Sequence, residues 1–188
     1  MKTEDEKHII KKIKQGDVSA YSVLIDKYRK MVYTLVLQIL KNESDAEEVA
    51  QDAFFKAYKA LDTFEGRSSF STWIYRIAYR QAISKLRRAK NKEVSFETIP
   101  TQFPENETPG DILLAGDRSK YLKEGLKKIK GDEANLLTLF YYEEKKVEEI
   151  AEITGLSPSN VKVKLFRARQ NLLKILQSML QKEVDSLI

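Results

Sequence analysis

Apolar residues return every three or four positions along nearly the whole chain, and the strict alternation of strands is almost absent. That periodicity predicts an all-α protein. A first short helix is expected from Glu4 to Gln15, ended by Gly16, and a second from Asp17, its N-cap, to about Leu40. The third is expected to begin at Ser44-Asp45-Ala46-Glu47, a capping-box pattern. Its apolar positions are Ala46, Val49, Ala50, Ala53, Phe54, Ala57, Tyr58 and Leu61, spaced alternately by three and one, which draws one continuous face. Glu47, Glu48, Gln51, Asp52, Phe55 and Lys56 fall on the other side.

The pattern is interrupted once. Pro100, Pro104 and Pro109 fall within ten residues, beside Thr98, Thr101, Asn106, Thr108 and Gly110, a composition that stops helices and favours extended chain. Two small helical domains are therefore expected, residues 1–92 and 117–188, joined by a linker over 93–116. The second domain carries the sharpest local motif. Val147 to Thr154 reads as a short amphipathic helix, Gly155-Leu156-Ser157 as a turn, and Ser157 as an N-cap ahead of Pro158 at the first helical position. The next helix buries Val161, Leu165, Ala168, Leu172 and Leu176, and presents Ser159, Asn160, Lys162, Val163, Lys164, Phe166, Arg167 and Arg169. A short helix, a turn with glycine and a capped basic helix make a helix-turn-helix.

Charge adds functional content to this outline. The net charge of +5 is a cancellation: residues 1–92 hold 19 bases and 12 acids, residues 93–116 five acids and no base, and residues 117–188 14 bases and 11 acids. Two basic blocks around an acidic linker suggest two nucleic-acid-facing domains. Within the first block, residues 43–52 reverse the sign, with five acids and no base. Such acids suit the start of a helix, but Phe55 among polar neighbours marks the same face as a protein-docking anchor for a basic partner. Residues 67–92 hold eight bases and no acid, interleaved with Phe70, Trp73, Tyr75 and Tyr79 just after Phe64. Phe70, Trp73, Ile74 and Ile77 read as core at helical spacing. Tyr75 and Tyr79 lie on a different stripe, so the segment reads as a single-strand-binding surface on a small core.

Composition removes most catalytic classes. There is no cysteine, hence no disulfide framework, Cys-type zinc site or thiol nucleophile, and the one histidine, His8, cannot form a multi-histidine centre. His8 reads as a solvated residue of the first helix. No cofactor, metal ligand or catalytic residue is expected. No apolar run approaches the roughly 20 residues of a membrane span, and Met1 to Lys7 lacks a secretory apolar stretch, so a cytoplasmic protein is expected.

In this order the parts resemble bacterial RNA polymerase sigma factors of the extracytoplasmic-function (ECF) group, in the sigma-70 family. The resemblance spans nearly the whole length. It is carried by Gly16-Asp17-x-x-Ala20-Tyr21, by Asp45 to Phe54, by Phe70-Ser71-Thr72-Trp73-Ile74-Tyr75-Arg76-Ile77-Ala78, and by Val161 to Arg169. It implies a non-catalytic subunit that gives core polymerase its promoter choice. Asp45, Glu48, Gln51, Asp52 and Phe55 would dock on the β′ coiled coil. Phe64, Arg67, Ser68, Ser69, Phe70, Trp73, Arg76, Arg80, Ser84, Arg87 and Arg88 would open and hold the −10 element. Ser159, Asn160, Lys162, Val163, Lys164, Phe166, Arg167 and Arg169 would read the −35 duplex. The implied partners are core polymerase, through the β′ coiled coil and β flap, promoter DNA, and an anti-sigma factor of the frequently membrane-tethered kind. The acidic linker would occupy basic channels of the polymerase near the RNA exit path.

Some positions depart from the family pattern. Arg80 stands where Asn is frequent, Ser84 where Asp is, and Val163 where Ser is. Val163 exchanges a hydrogen-bonding group for one that could meet a thymine methyl. Glu144-Lys145-Lys146 replaces the usual Gly-Leu-Ser, which is expected to loosen the following helix start by about 1 kcal/mol. Two other readings of the residues are a stand-alone helix-turn-helix regulator and a nucleic-acid-processing enzyme. The acidic face with Phe55 opposes the first, and the absence of a partnered carboxylate cluster opposes the second.

Overall fold

A few polar side chains and left-handed residues set where the helices begin and end. The computed structural model describes residues 3–92 and 117–185; the expected linker, 93–116, lies outside them. Helix α1 (Thr3–Lys14) stops at Gly16, whose φ of 101° suits glycine. The Asp17 carboxylate accepts from the Ala20 amide at 3.3 Å and the Ser19 hydroxyl at 2.5 Å, so it caps a 3-10 turn, Val18–Ala20, and α2 (Tyr21–Leu40) follows. Lys41 closes α2 in the left-handed region, at φ 56°. Helix α3 (Glu43–Lys59) starts one residue before the expected box: its cap is Asn42, whose side chain accepts from the Asp45 amide at 2.9 Å. Asn42 has the extended backbone of a cap, whereas Ser44 already lies in the first turn.

Helix α4 (Phe70–Lys92) completes the first domain. The second contains α5 (Asp117–Lys128), α6 (Gly131–Tyr141), α7 (Val147–Thr154) and α8 (Pro158–Asp185). Its motif is built as the sequence predicts: Gly155 turns the chain at φ 75°, and the Ser157 hydroxyl accepts from the Asn160 amide at 3.3 Å. The start of α7 departs from expectation. With no Ser cap, the Glu149 carboxylate reaches back and accepts the Lys146 amide at 3.1 Å, so the first turn is not left open.

Each domain buries its apolar stripe. In the first, Leu24, Val32, Leu35 and Val36 of α2 meet Ala46, Ala53 and Ala57 of α3 and Ile74, Ala78 and Ala82 of α4. The alanines let the three helices approach closely. In the second, Leu136, Leu139, Ile150, Ile153, Val161, Leu165 and Ala168 close around the turn. Leu172 and Leu176 are only half-buried, packed on α5 at Gly125.

The two domains also pack on each other, α6 against α2 and α7 against α4. This seam is rich in polar contacts. The Asn135 amide donates to the Leu35 carbonyl at 3.1 Å, the Gln38 amide to the Thr138 hydroxyl at 3.0 Å, and the Lys41 ammonium to the Lys127 carbonyl at 3.2 Å. Gly131 lies so close to α2 that an added Cβ would strike the Gln38 carbonyl. Buried hydrogen bonds of this kind select one docking geometry, each contributing about 1 kcal/mol net.

Candidate nucleic-acid and protein-docking surfaces

On α8 the buried residues Val161, Leu165 and Ala168 turn a polar stripe outward. Ser159, Asn160, Lys162, Val163, Phe166, Arg167 and Arg169 are exposed, Phe166 by 60%. Lys164 is half-buried and its ammonium lies 3.1 Å from the Asp132 carboxylate of α6. Arg169 donates to the Tyr141 hydroxyl at 3.2 Å, and the Asn171 amide to the Glu133 carboxylate at 2.9 Å. These α6 residues, Asp132, Glu133 and Tyr141, orient the stripe and are missed by sequence reading. Only the exposed aromatic end of α6 could have pointed to them.

The second surface lies between α3 and α4. A 3-10 turn, Leu61–Thr63, leads into a loop where Gly66 adopts φ 74°. Lys14 of α1 holds the loop start, donating to the carbonyls of Asp62 at 3.2 Å and Phe64 at 2.9 Å. Phe64, Phe70 and Trp73 stack as a cluster with ring centres 5.2 to 5.8 Å apart, and Tyr28 joins Phe70 at 5.6 Å. Phe70 and Trp73 are buried, so half-buried Phe64 is the most exposed ring of this cluster. Above the cluster is a pocket of about 250 Å³ lined by Thr63, Phe64, Glu65, Gly66, Arg67, Ser68, Trp73, Arg76 and Glu152. Arg80, Ser84, Arg87 and Arg88 continue along α4 as exposed side chains, away from this pocket lining.

The predicted stripe of Tyr75 and Tyr79 needs correction. Tyr75 is 1% exposed, and Tyr79 is half-buried. Helix α4 has a second buried side because α7 covers it, which no single-helix pattern can reveal. The Tyr75 hydroxyl donates to Glu143 at 2.7 Å. Burial first, then the hydrogen bond and charge of Glu143, push the Tyr75 hydroxyl pKa up. Burial likewise raises Glu143 above the ordinary carboxyl range, against the Tyr75 hydrogen bond and the charges of Lys145 and Lys27.

Other contacts from the second domain reach the loop itself. One Glu152 oxygen accepts from the Arg76 guanidinium at 2.8 Å and from the Ser68 hydroxyl at 3.2 Å. Glu149 accepts from the Thr72 hydroxyl at 2.8 Å, and Ser69 hydrogen-bonds Ser71 at 2.9 Å and Thr72 at 2.8 Å. The buried Lys145 ammonium directs its donors to Ser71 at 2.6 Å, Ser69 at 3.2 Å and Glu149 at 3.4 Å. Burial alone would raise Glu149, but hydrogen bonds from Thr72 and the Lys146 amide, with the charge of Lys145, hold it below the ordinary range. Arg67 pairs with Glu65 across the loop.

The third surface is the outer side of α3. Phe55 is 57% exposed, with the Lys59 ammonium 4.4 Å from its ring centre, and Gln51 and Asp52 are exposed beside it. Asp45 and Glu48 share the Lys85 ammonium of α4, each at 2.7 Å. These hydrogen bonds, Asp45 first, raise the Lys85 pKa. The five predicted docking residues thus share one side of the helix, two of them tied to α4. Exposed His8 lies on α1. Among the described residues no group of three His, Asp or Glu is placed to hold a metal ion, and no helix is long and apolar enough to cross a membrane.

Comparison with known proteins divides the chain along the same lines. Sigma-70 region 2 matches residues 24–92, and Sigma-70 region 4 matches residues 120–172. The ECF RNA polymerase sigma factor SigW of Bacillus subtilis is 30% identical, over 90% of this chain and 96% of the relative. The RNA polymerase sigma-H factor of Pseudomonas aeruginosa is 30% identical, over 95% and 97%. Two solved structures share the fold. CnrH in complex with the cytosolic domain of CnrY is 22% identical with a TM-score of 0.62, covering 90% of this chain and 96% of that one. The sigma factor RpoE of Bartonella quintana, in complex with the anti-sigma factor NepR, is 19% identical with a TM-score of 0.66, covering 85% and 98%.

Proposed function

The chain belongs to the ECF RNA polymerase sigma factors, proteins of transcription initiation, and from that premise we propose how its surfaces divide the work. Helix α8 reads the −35 element in the duplex major groove. Lys162, Arg167 and Arg169 supply phosphate and base-edge contacts, and Val163 and Phe166 supply apolar contact. The pocket above Phe64 and Trp73 holds an unpaired base of the −10 element, with Arg67 and Arg76 for its backbone. Asp45, Glu48, Gln51, Asp52 and Phe55 dock on core polymerase, at the β′ coiled coil, and the second domain meets the β flap. Linker residues 93–116 thread basic channels of the polymerase.

The chain transfers no chemical group; it works by differential binding. Contacts to unpaired −10 bases favour the melted duplex and shift that equilibrium. Holding both domains on one polymerase raises the effective concentration of the second DNA contact. Acting with polymerase places the protein in the cytoplasm, where an anti-sigma factor would hold it until a signal arrives.

The observation that most supports this reading is the α8 stripe: basic and apolar side chains exposed together on a capped helix anchored from its opposite side by buried Val161, Leu165 and Ala168. In vitro transcription with core polymerase on genomic fragments tests it. Start sites that depend on the added protein are the expected outcome, and their complete absence sinks the reading.

A further inference from the structure

The α8 stripe and the Phe55 face are open to solvent, whereas the −10 pocket is closed on one side by a carboxylate of the other domain. Glu152 sits where the Arg76 guanidinium and the Ser68 hydroxyl, both donors, converge. One turn earlier on α7, Glu149 takes the Thr72 hydroxyl. Arg76 and Ser68 line the pocket as donors that a nucleic-acid strand can use, and a carboxylate offers them what a phosphate or base oxygen would. Glu149 also caps its own helix at the Lys146 amide, whereas the hydrogen bonds of Glu152 to Ser68 and Arg76 both cross the seam.

We propose that α7 is an internal competitor for single-stranded DNA: in the free chain Glu152 occupies the Arg76 and Ser68 donors of the −10 pocket while Glu149 ties α7 to buried Thr72 beside it, and the domain seam must open before a strand can enter. This deepens, and rests on, the assignment of that pocket to the −10 element. The two surfaces left exposed permit polymerase docking and −35 contact with the seam closed. Strand capture is thereby made the later event. The seam's polar character suits a contact that opens, since Asn135, Gln38, Thr138 and Lys41 can exchange their bonds for water.

Two variants separate opening from competition. Gly131→Ala places a methyl against the Gln38 carbonyl and props the seam apart without touching any DNA-facing residue. Glu152→Gln leaves the seam shut and removes the competing charge. Because the chain has no cysteine, Lys30→Cys and Gln170→Cys, both at exposed positions, carry a fluorophore pair that reports inter-domain distance. Binding of a short labelled single-stranded DNA of randomised sequence is measured by anisotropy on the full chain without polymerase.

The expected result is longer inter-domain distance in Gly131→Ala, unchanged distance in Glu152→Gln, and affinity raised about ten-fold in the first and several-fold in the second. Unchanged affinity in an opened Gly131→Ala overturns the proposal, as does unchanged affinity in Glu152→Gln if Gly131→Ala fails to fold or to open. Arg76→Ala, added to the opened variant, examines the pocket itself. If affinity rises on opening but ignores Arg76, the −10 assignment of this pocket fails while the opening of the seam stands.

Discussion

The α8 stripe and the loop at residues 64–76 are both basic, and both contain aromatic residues, yet they differ in what surrounds them. On α8, Phe166 and Arg167 face solvent because the helix buries only one side. At the loop, Phe70 and Trp73 are buried against Phe64 and Tyr28 as core, and beyond them Tyr75 is buried and Arg76 is paired because a second domain lies across α4. A helix packed along one side only, as α8 is against α5, α6 and α7, exposes what its pattern predicts. A helix with neighbours on two sides does not.

The sharpest way to break this contrast is to truncate one aromatic on each surface. Trp73→Ala removes a ring from the Phe64–Phe70–Tyr28 cluster and is expected to cost about 3–5 kcal/mol of stability, read by denaturant unfolding. Phe166→Ala should change stability by no more than about 0.5 kcal/mol, while weakening binding of −35 duplex. Comparable destabilisation by both would erase the distinction.

Next in size are the functional truncations. Phe55→Ala should weaken core polymerase binding by about 2 kcal/mol, measured by competition for core enzyme. Arg167→Ala should weaken −35-dependent initiation by about 1–3 kcal/mol and leave polymerase binding unchanged. Equal loss of polymerase binding in the two contradicts the separation of surfaces.

A cap substitution gives a smaller effect. Asn42→Ala is expected to lower stability by about 1 kcal/mol, whereas Ser44→Ala, inside the first turn, should be close to neutral. The reverse order in thermal melts would restore the cap the sequence suggested.

The smallest effect concerns two carboxylates of the seam that titrate in opposite senses. Glu143 is raised, so its contribution is fully present below its ordinary carboxyl value of 4.5 and is lost as pH rises through its higher folded value. Glu149 is lowered, so its contribution is present above that ordinary value and lost as pH falls through the lower folded one. Glu143→Gln should therefore leave stability at neutral pH unchanged or slightly higher, and Glu149→Gln should reduce it. Unfolding of both variants from pH 4 to 7 checks the signs.

Much of the architecture was legible in the chain. The α3 stripe from Ala46 to Ala57, the turn at Gly155 and the cap at Ser157 are local features, and the structure places them as their spacing predicts. The start of α3 was displaced because two adjacent polar segments could each cap it, and only backbone geometry chose Asn42. The tight start of α7 was missed because Glu149, not the cap residue, supplies the acceptor. Lys14 and Tyr141 carry no motif, and their roles appear only when their helices meet the loop and α8.

Periodicity, caps and turn residues by themselves determined the helices, the exposed side of α3 and the exposed stripe of α8, since each depends on neighbours three or four positions away. Tertiary structure alone decided which side of α4 is covered and which carboxylates enter its loop. Those contacts join residues 68 to 84 positions apart, such as Tyr75 with Glu143 and Ser68 with Glu152. They depend on how two finished domains meet, and a hydrogen-bonding pair at that separation leaves no periodic trace in the chain.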